Sequence, residues 1–351
     1  MASSFGVARV AIKNEQMRFG LPAYKVLGGS WALHETIRRL VGVDAGKIMS
    51  LAALRDALAH RARITFCTAT DGNHGRGIAH MAELLGCDCV IFVPEDMVAE
   101  RADAIRAHHA TVRVADGGYD IAVNAASAFV AGQPERWLCA DTVTPTDGDA
   151  GRRFACDVQN GYVTLFSELV EQFGSAPDVC FVQSGVGALA ASAVHSMASL
   201  APHCRIITVE PADSACVLAS IEADRPHSVR DSFTIMAGLR AQSISELAWP
   251  TLRRGVFAAT SIADQETVDA KRALAAVGVE SGESGAAGLA GLHRVFADHE
   301  LRASLGFGHS TSVALINTEG ATDRARYTRL VIEGRSECLC ARSSVGRCAP
   351  M

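Results

Sequence analysis

The sequence predicts an α/β protein built on parallel sheets, and three observations carry that prediction. Short apolar, β-branched runs alternate with helix-period segments; 49% of the 351 residues are hydrophobic, enough for a large core; and no apolar stretch is long enough to cross a membrane. The first run, Val10-Ala11-Ile12, ends at Lys13, and a helix pattern follows Lys25. Between residues 64 and 131 the alternation is regular. Apolar runs over Ile64–Thr68, Cys89–Val93 and Thr111–Ala115 are each followed by a helix pattern, over His74–Leu85, Val98–His109 and Tyr119–Ala131. The stretch Asp141–Arg153, rich in Thr, Asp, Gly and Pro, reads as a loop. A second series begins with a strand at Val179–Gln183, a helix at Ala188–Leu200 and a strand at Arg205–Glu210. Helix patterns at 264–276 and 284–297, a strand at Ser312–Asn317 and a last helix after Thr322 complete it.

Composition narrows the function. A net charge of -5 with 20% charged residues argues against a nucleic-acid binder or a disordered tail. Eleven cysteines, odd in number and scattered through apolar runs, read as buried thiols of a reducing compartment. Cys87-x-Cys89 and Cys338-x-Cys340 lack C-x-x-C spacing and an accompanying histidine at ligand spacing, so no metal site is expected. The N-terminus has no basic region followed by an apolar stretch, and a cytoplasmic protein is expected. Of 33 basic residues only four are lysines: Lys13, Lys25, Lys47 and Lys271. Arginine cannot serve as an amine nucleophile, so any imine chemistry has four candidates. Lys47 and Lys271 sit in helical, charged surroundings and are expected to be solvated; Lys25, flanked by apolar residues and followed by Gly28-Gly29, is expected to be desolvated, with a lowered pKa.

Two turns add chemistry. Val182-Gln183-Ser184-Gly185-Val186-Gly187-Ala188-Leu189 runs from a strand through small residues into a helix, where free N–H groups and the positive helix end form an anion cradle. The same glycines also suit a tight turn that binds nothing. Thr68-Ala69-Thr70-Asp71-Gly72-Asn73-His74-Gly75 likewise joins a strand to a helix, and its N–H groups could hold a carboxylate. Asp71 or Asn73 could equally be a plain N-cap, and His74 a helix-start histidine.

A lysine before Gly-Gly, the T-D-G-N-H loop and the later small-residue turn, in this chain order, resemble the fold type II pyridoxal-phosphate enzymes of the tryptophan synthase β and threonine dehydratase group. Arg18-Phe19-Gly20, Tyr24-Lys25-Val26-Leu27-Gly28-Gly29 and Thr68–Gly77 are most similar to the diaminopropionate ammonia-lyase family. So are Asn160-Gly161-Tyr162, Thr234–Leu239 and Thr318-Glu319-Gly320-Ala321-Thr322-Asp323. The similarity spans residues 7 to 333, and Asp71 is its most specific element, since dehydratases usually carry a small residue there.

The resemblance implies two doubly wound α/β domains with pyridoxal 5'-phosphate between them: a large domain of residues 1–36 and 175–351 and a small one of 37–174. It implies that Lys25 forms the Schiff base, that Ser184, Gly185, Val186, Gly187, Ala188 and Leu189 bind the phosphate, that Asn73 meets the phenolic oxygen and that Thr318 faces the pyridine nitrogen. Thr70, Asp71, Gly72 and Asn73 are implied to line the substrate carboxylate site. Asp71 is the implied base toward one substrate enantiomer, with Lys25 serving the other, and Asp141 positions the substrate amino group. The implied reaction eliminates ammonia from 2,3-diaminopropionate through an aminoacrylate, giving pyruvate and a second ammonia. A small amino-acid substrate and a homodimer follow, with no nucleic-acid or membrane partner. A serine/threonine dehydratase, a β-replacement enzyme and a catalytically impaired homologue are the alternatives.

The chain also departs from the pattern. Relatives carry several dozen more residues before the lysine, including a P-T-P-L segment, so a strand and part of the substrate wall are expected to be missing. The region after Asp141 lacks a W-x-G-Y-E stretch, Ala321 stands where an acidic residue is common, and residues 334–351 have no recognised counterpart.

Overall fold

The computed structural model describes residues 1–143 and 148–334. Among the described residues, nine strands form two parallel sheets. The first holds β1 (Arg9–Asn14), β6 (Val179–Gln183), β7 (Arg205–Pro211), β8 (Val256–Ile262) and β9 (Ser312–Asn317), in the order β1-β9-β6-β7-β8. The second holds β2 (Thr65–Ala69), β3 (Asp88–Val93), β4 (Thr111–Val114) and β5 (Arg136–Leu138), in the order β4-β3-β2-β5. β6 is buried at every position, as a central parallel strand covered on both faces must be, and this explains its unbroken Val-Cys-Phe-Val run.

Helices of eight or more residues are numbered α1 (Val26–Leu40), α2 (Leu51–Ala59), α3 (Asn73–Leu85), α4 (Ala99–Arg106), α5 (Tyr119–Val130), α6 (Asp149–Gly161), α7 (Val163–Phe173), α8 (Ala188–Leu200), α9 (Asp264–Ala275) and α10 (Glu283–Ala297). Their ends follow local chemistry. Ser50 accepts from Ala53 N at α2, the Glu266 carboxylate accepts from Ala263 N at α9, and Gly86 at φ 72° closes α3 in a conformation that glycine adopts without penalty.

The contact between α1 and α6 is backbone to backbone. A Cβ on Gly161 would lie 2.6 Å from Leu27 O, and one on Gly28 would lie 2.8 Å from Val158 O. Only glycine permits this approach, and it fixes the start of α1, where Lys25 stands.

Several expectations change. The loop expected over 141–153 ends sooner, because α6 begins at Asp149; residues 144–147 lie outside the described residues. The helix expected to reach His109 stops at Arg106, and His109 has φ 58°. The three-residue β5 and the edge strand β8, half-exposed along most of its length, carry too weak an apolar signal to read from sequence. Lys47 is exposed as expected. Lys271 is not: it is 1% exposed, and its Nζ donates to Glu283 Oε1 at 2.6 Å. Cys338, Cys340 and Cys348 lie outside the described residues.

Candidate active site

Lys25 occupies the N-cap position of α1, and its Nζ donates to Asp141 Oδ2 at 2.7 Å. Asp141 is carried by the chain leaving β5, where Cys139 N donates to Cys67 O and extends the ladder with β2. Burial favours the neutral amine at Lys25, but the Asp141 carboxylate, with Tyr24 and Asp71, outweighs it and raises the pKa, so the lowered value expected from the apolar flanks is reversed. Burial likewise works against ionised Asp141, yet His74 and Lys25 hold its carboxyl well below the usual range. His74 is buried, with Nε2 2.6 Å from Cys139 O and Nδ1 3.8 Å from Asp141 Oδ2.

The turn after β6 faces Lys25 across a cleft lined by Gly185, Val186, Gly187, Ala188, Leu189, Asn73 and Thr318. Gly187, at φ 96°, is the N-cap of α8, and no side chain caps that helix. The first N–H groups of α8 therefore have no intrahelical acceptor. Ser184 Oγ is buried without a hydrogen-bond partner, and a Cβ on Gly185 would meet Leu239 Cα at 3.3 Å. Uncapped N–H groups, an unpaired buried hydroxyl and a turn trimmed to glycine fit a phosphate.

The loop after β2 closes the other side. Thr70 Oγ1 accepts from Gly72 N and Gly75 N, both at 3.0 Å, and Gly72, at φ 146°, is the N-cap of α3. Neither Asp71 nor Asn73 caps the helix through its side chain, which removes the plain N-cap reading and leaves both free to face the cleft. Burial pushes the Asp71 carboxyl up to about 6, against the opposing pull of Arg101 and Arg240. Lys25, Asp71, Asp141, Tyr119, Arg101 and Arg240 line one cleft.

Glu319 has no role in the reading from sequence, although it lies within the Thr318–Asp323 motif. It is buried, accepts from Ser284 N at 3.0 Å and from Asn73 Nδ2, and burial raises its pKa. Asn73, expected at the phenolic oxygen, thus already has an anchor on the opposite side of the cleft. Gln183 Nε2 donates to Ile316 O at 2.8 Å and reaches Thr318 Oγ1 at 3.3 Å, tying the end of β6 to the end of β9. Arg101, Arg240, Tyr119 and Glu319 come from four separate segments, so no spacing announces them.

The fold agrees with comparisons to known proteins. The family described as Pyridoxal-phosphate dependent enzyme matches residues 1–318. The diaminopropionate ammonia-lyase of Escherichia coli (strain K12) is 33% identical over 349 residues, covering 95% of this chain and 86% of that protein. The crystal structure of the holo form of the Escherichia coli lyase superposes with a TM-score of 0.86 at 31% identity, over 95% of this chain and 86% of that one. The same lyase in complex with an aminoacrylate-PLP azomethine reaction intermediate superposes with a TM-score of 0.83 at 31% identity, over 95% and 85%. With a phosphate-fitting turn, a half-buried lysine opposite it and matches over nearly its whole length, the chain belongs to the pyridoxal-phosphate dependent enzymes, and among them to the diaminopropionate ammonia-lyase family.

Proposed function

We propose that this chain eliminates ammonia from 2,3-diaminopropionate, which with one water gives pyruvate and two ammonia. The observation that carries the reading is a pair of aspartates in the cleft of Lys25 whose ionisation is pushed in opposite directions. Two carboxyls with separated pKa values mark separate roles. Asp141 stays ionised and serves as a fixed counter-ion, first to the Lys25 ammonium and then to the substrate's 2-amino group. Asp71, near 6, is ionised at neutral pH yet close enough to it to accept the Cα proton of one enantiomer, while Lys25 serves the other. The Asp71 charge also attracts the 3-ammonium of 2,3-diaminopropionate, which an uncharged serine hydroxyl does not offer.

Pyridoxal phosphate, when bound, supplies the electron sink that makes the Cα proton removable. Lys25 would hold its aldehyde carbon, Ser184–Leu189 its phosphate, Asn73 its phenolic oxygen and Thr318 its pyridine nitrogen. A neutral hydroxyl at Thr318 does not keep that nitrogen protonated, which suits elimination. The start of α3 supplies N–H groups for the substrate carboxylate, beside Thr70 and Gly72. The two sheets support the division into a large domain (1–36 and 175–351) and a small one (37–174), with the cleft between them. A homodimer in the cytoplasm completes the reading; among the described residues no helix is long and apolar enough to cross a membrane.

The test is a comparison of pyruvate release from both enantiomers of 2,3-diaminopropionate with release from serine and threonine. Faster release from serine would replace the lyase reading with a dehydratase. Borohydride should fix the cofactor onto Lys25, and label found on Lys13 would overturn the assignment of the lysine.

A further inference from the structure

Away from the cleft, α3 and the turn after α4 bring together His80, Glu83 and His108. His80 and Glu83 share one face of α3 at i and i+3, and His108 approaches from the chain just past α4. One ligand atom from each of the three lies within 4.8 Å of the others. His108 Nδ1 is 2.7 Å from Glu83 Oε2, and the rings of His80 and His108 stand 5.0 Å apart in an edge-to-face arrangement. Two nitrogens of these residues have nothing to bond: His80 Nδ1 and His108 Nε2 are both shielded from solvent and without a hydrogen-bond partner. A buried imidazole nitrogen left unpaired is unfavourable, and a pair of them beside a carboxylate is a donor set awaiting an acceptor of electron pairs.

We propose that His80, Glu83 and His108 form a zinc site, with water completing the coordination. Two imidazoles and one carboxylate suit a borderline cation such as Zn2+ and not the all-oxygen shells of Mg2+ or Ca2+. Bond lengths of about 2.0–2.2 Å around a tetrahedral ion set ligand atoms ~3.5 Å apart, so the side chains close by roughly 1 Å on binding. His109, 84% exposed with Nε2 3.6 Å from Glu83 Oε1, is an outer partner able to steady the carboxylate. The ion would join the middle of α3 to the α4–β4 connection, bracing the helix whose first residue is Asn73.

The test is calorimetric titration of untagged, cofactor-loaded protein with ZnCl2, run on the wild type and on His80→Gln, His108→Gln and Glu83→Gln. The expected result is one zinc per chain, with affinity falling at least ~10-fold in each variant and pyruvate release in the absence of zinc unchanged. Thermal melting should rise on zinc addition in the wild type alone. Absence of stoichiometric binding would overturn the proposal, and so would binding of equal strength in His80→Gln and His108→Gln. His108 and Glu83 are partly exposed, so their variants remain interpretable should His80→Gln fold poorly.

Discussion

Replacing Lys271 with methionine removes one half of an ion pair that lies almost wholly out of solvent. The two side chains are 1% and 8% exposed and meet at 2.6 Å between α9 and α10. Breaking a buried pair from one side typically destabilises by about 3–5 kcal/mol, because the remaining charge stays buried without compensation. The lower end applies here: Glu283 is the first residue of α10, where the helix dipole favours a carboxylate, and Arg326 also lowers its pKa. At an unfolding entropy of about 2.1 cal/mol/K per residue, 351 residues give ~0.7 kcal/mol/K. A loss of about 3 kcal/mol therefore lowers the melting temperature by about 4 °C. Lys271→Met/Glu283→Gln, which removes the stranded charge, should recover more than half of that loss. Differential scanning calorimetry at pH 7 on cofactor-loaded protein reads both variants. A shift below 1 °C for Lys271→Met, or a double variant less stable than the single one, would refute the argument that the pair is a desolvated interaction.

Asp71→Asn should slow the two enantiomers of 2,3-diaminopropionate unequally; equal slowing in steady-state assays would remove Asp71 as an enantiomer-specific base. The same change should stabilise the fold at pH 7.5. The folded pKa of about 6 lies above the unfolded value, so the Asp71 carboxylate destabilises above pH 6 and that penalty is relieved as pH falls toward 4. Melting at pH 7.5 and pH 4.5 checks the sign, with the gain from Asp71→Asn expected only at the higher pH. Asp141→Asn should lower the midpoint for amine-reagent labelling of Lys25 in cofactor-free protein by about 1–3 pH units, because burial is then opposed only by Tyr24 and Asp71; mass spectrometry of the labelled peptide reads it. Gly161→Ala forces a methyl to within 2.6 Å of Leu27 O. Overpacking of this kind costs about 1–3 kcal/mol and should displace the start of α1, loosening cofactor retention on dialysis as well as lowering the melting temperature.

How much of this was legible depends on the kind of signal. The alternation of Ile64–Thr68, Cys89–Val93 and Val179–Gln183 with helix patterns is local and strong, because parallel strands buried on both faces must be apolar throughout. β5 and β8 escaped because a three-residue strand and a half-exposed edge leave no such run. Lys271 was misread for a related reason: its neighbours along the chain are polar, and only the packing of α9 on α10 removes its head group from water. The histidine and glutamate cluster shows the same limit, since His80 and His108 are far apart in sequence and meet only once α4 lies against α3.

The sequence by itself determined the α/β class and the two small-residue turns, and it singled out Lys25 among four lysines as the candidate, since each rests on residues adjacent in the chain. The charges acting on those residues were decided by the tertiary structure alone. Asp141 lies 116 positions from Lys25 and reverses its expected pKa, and Glu319 lies 246 positions from Asn73 and anchors it. Electrostatic energy depends on distance through space and on burial, and neither is written in the order of residues.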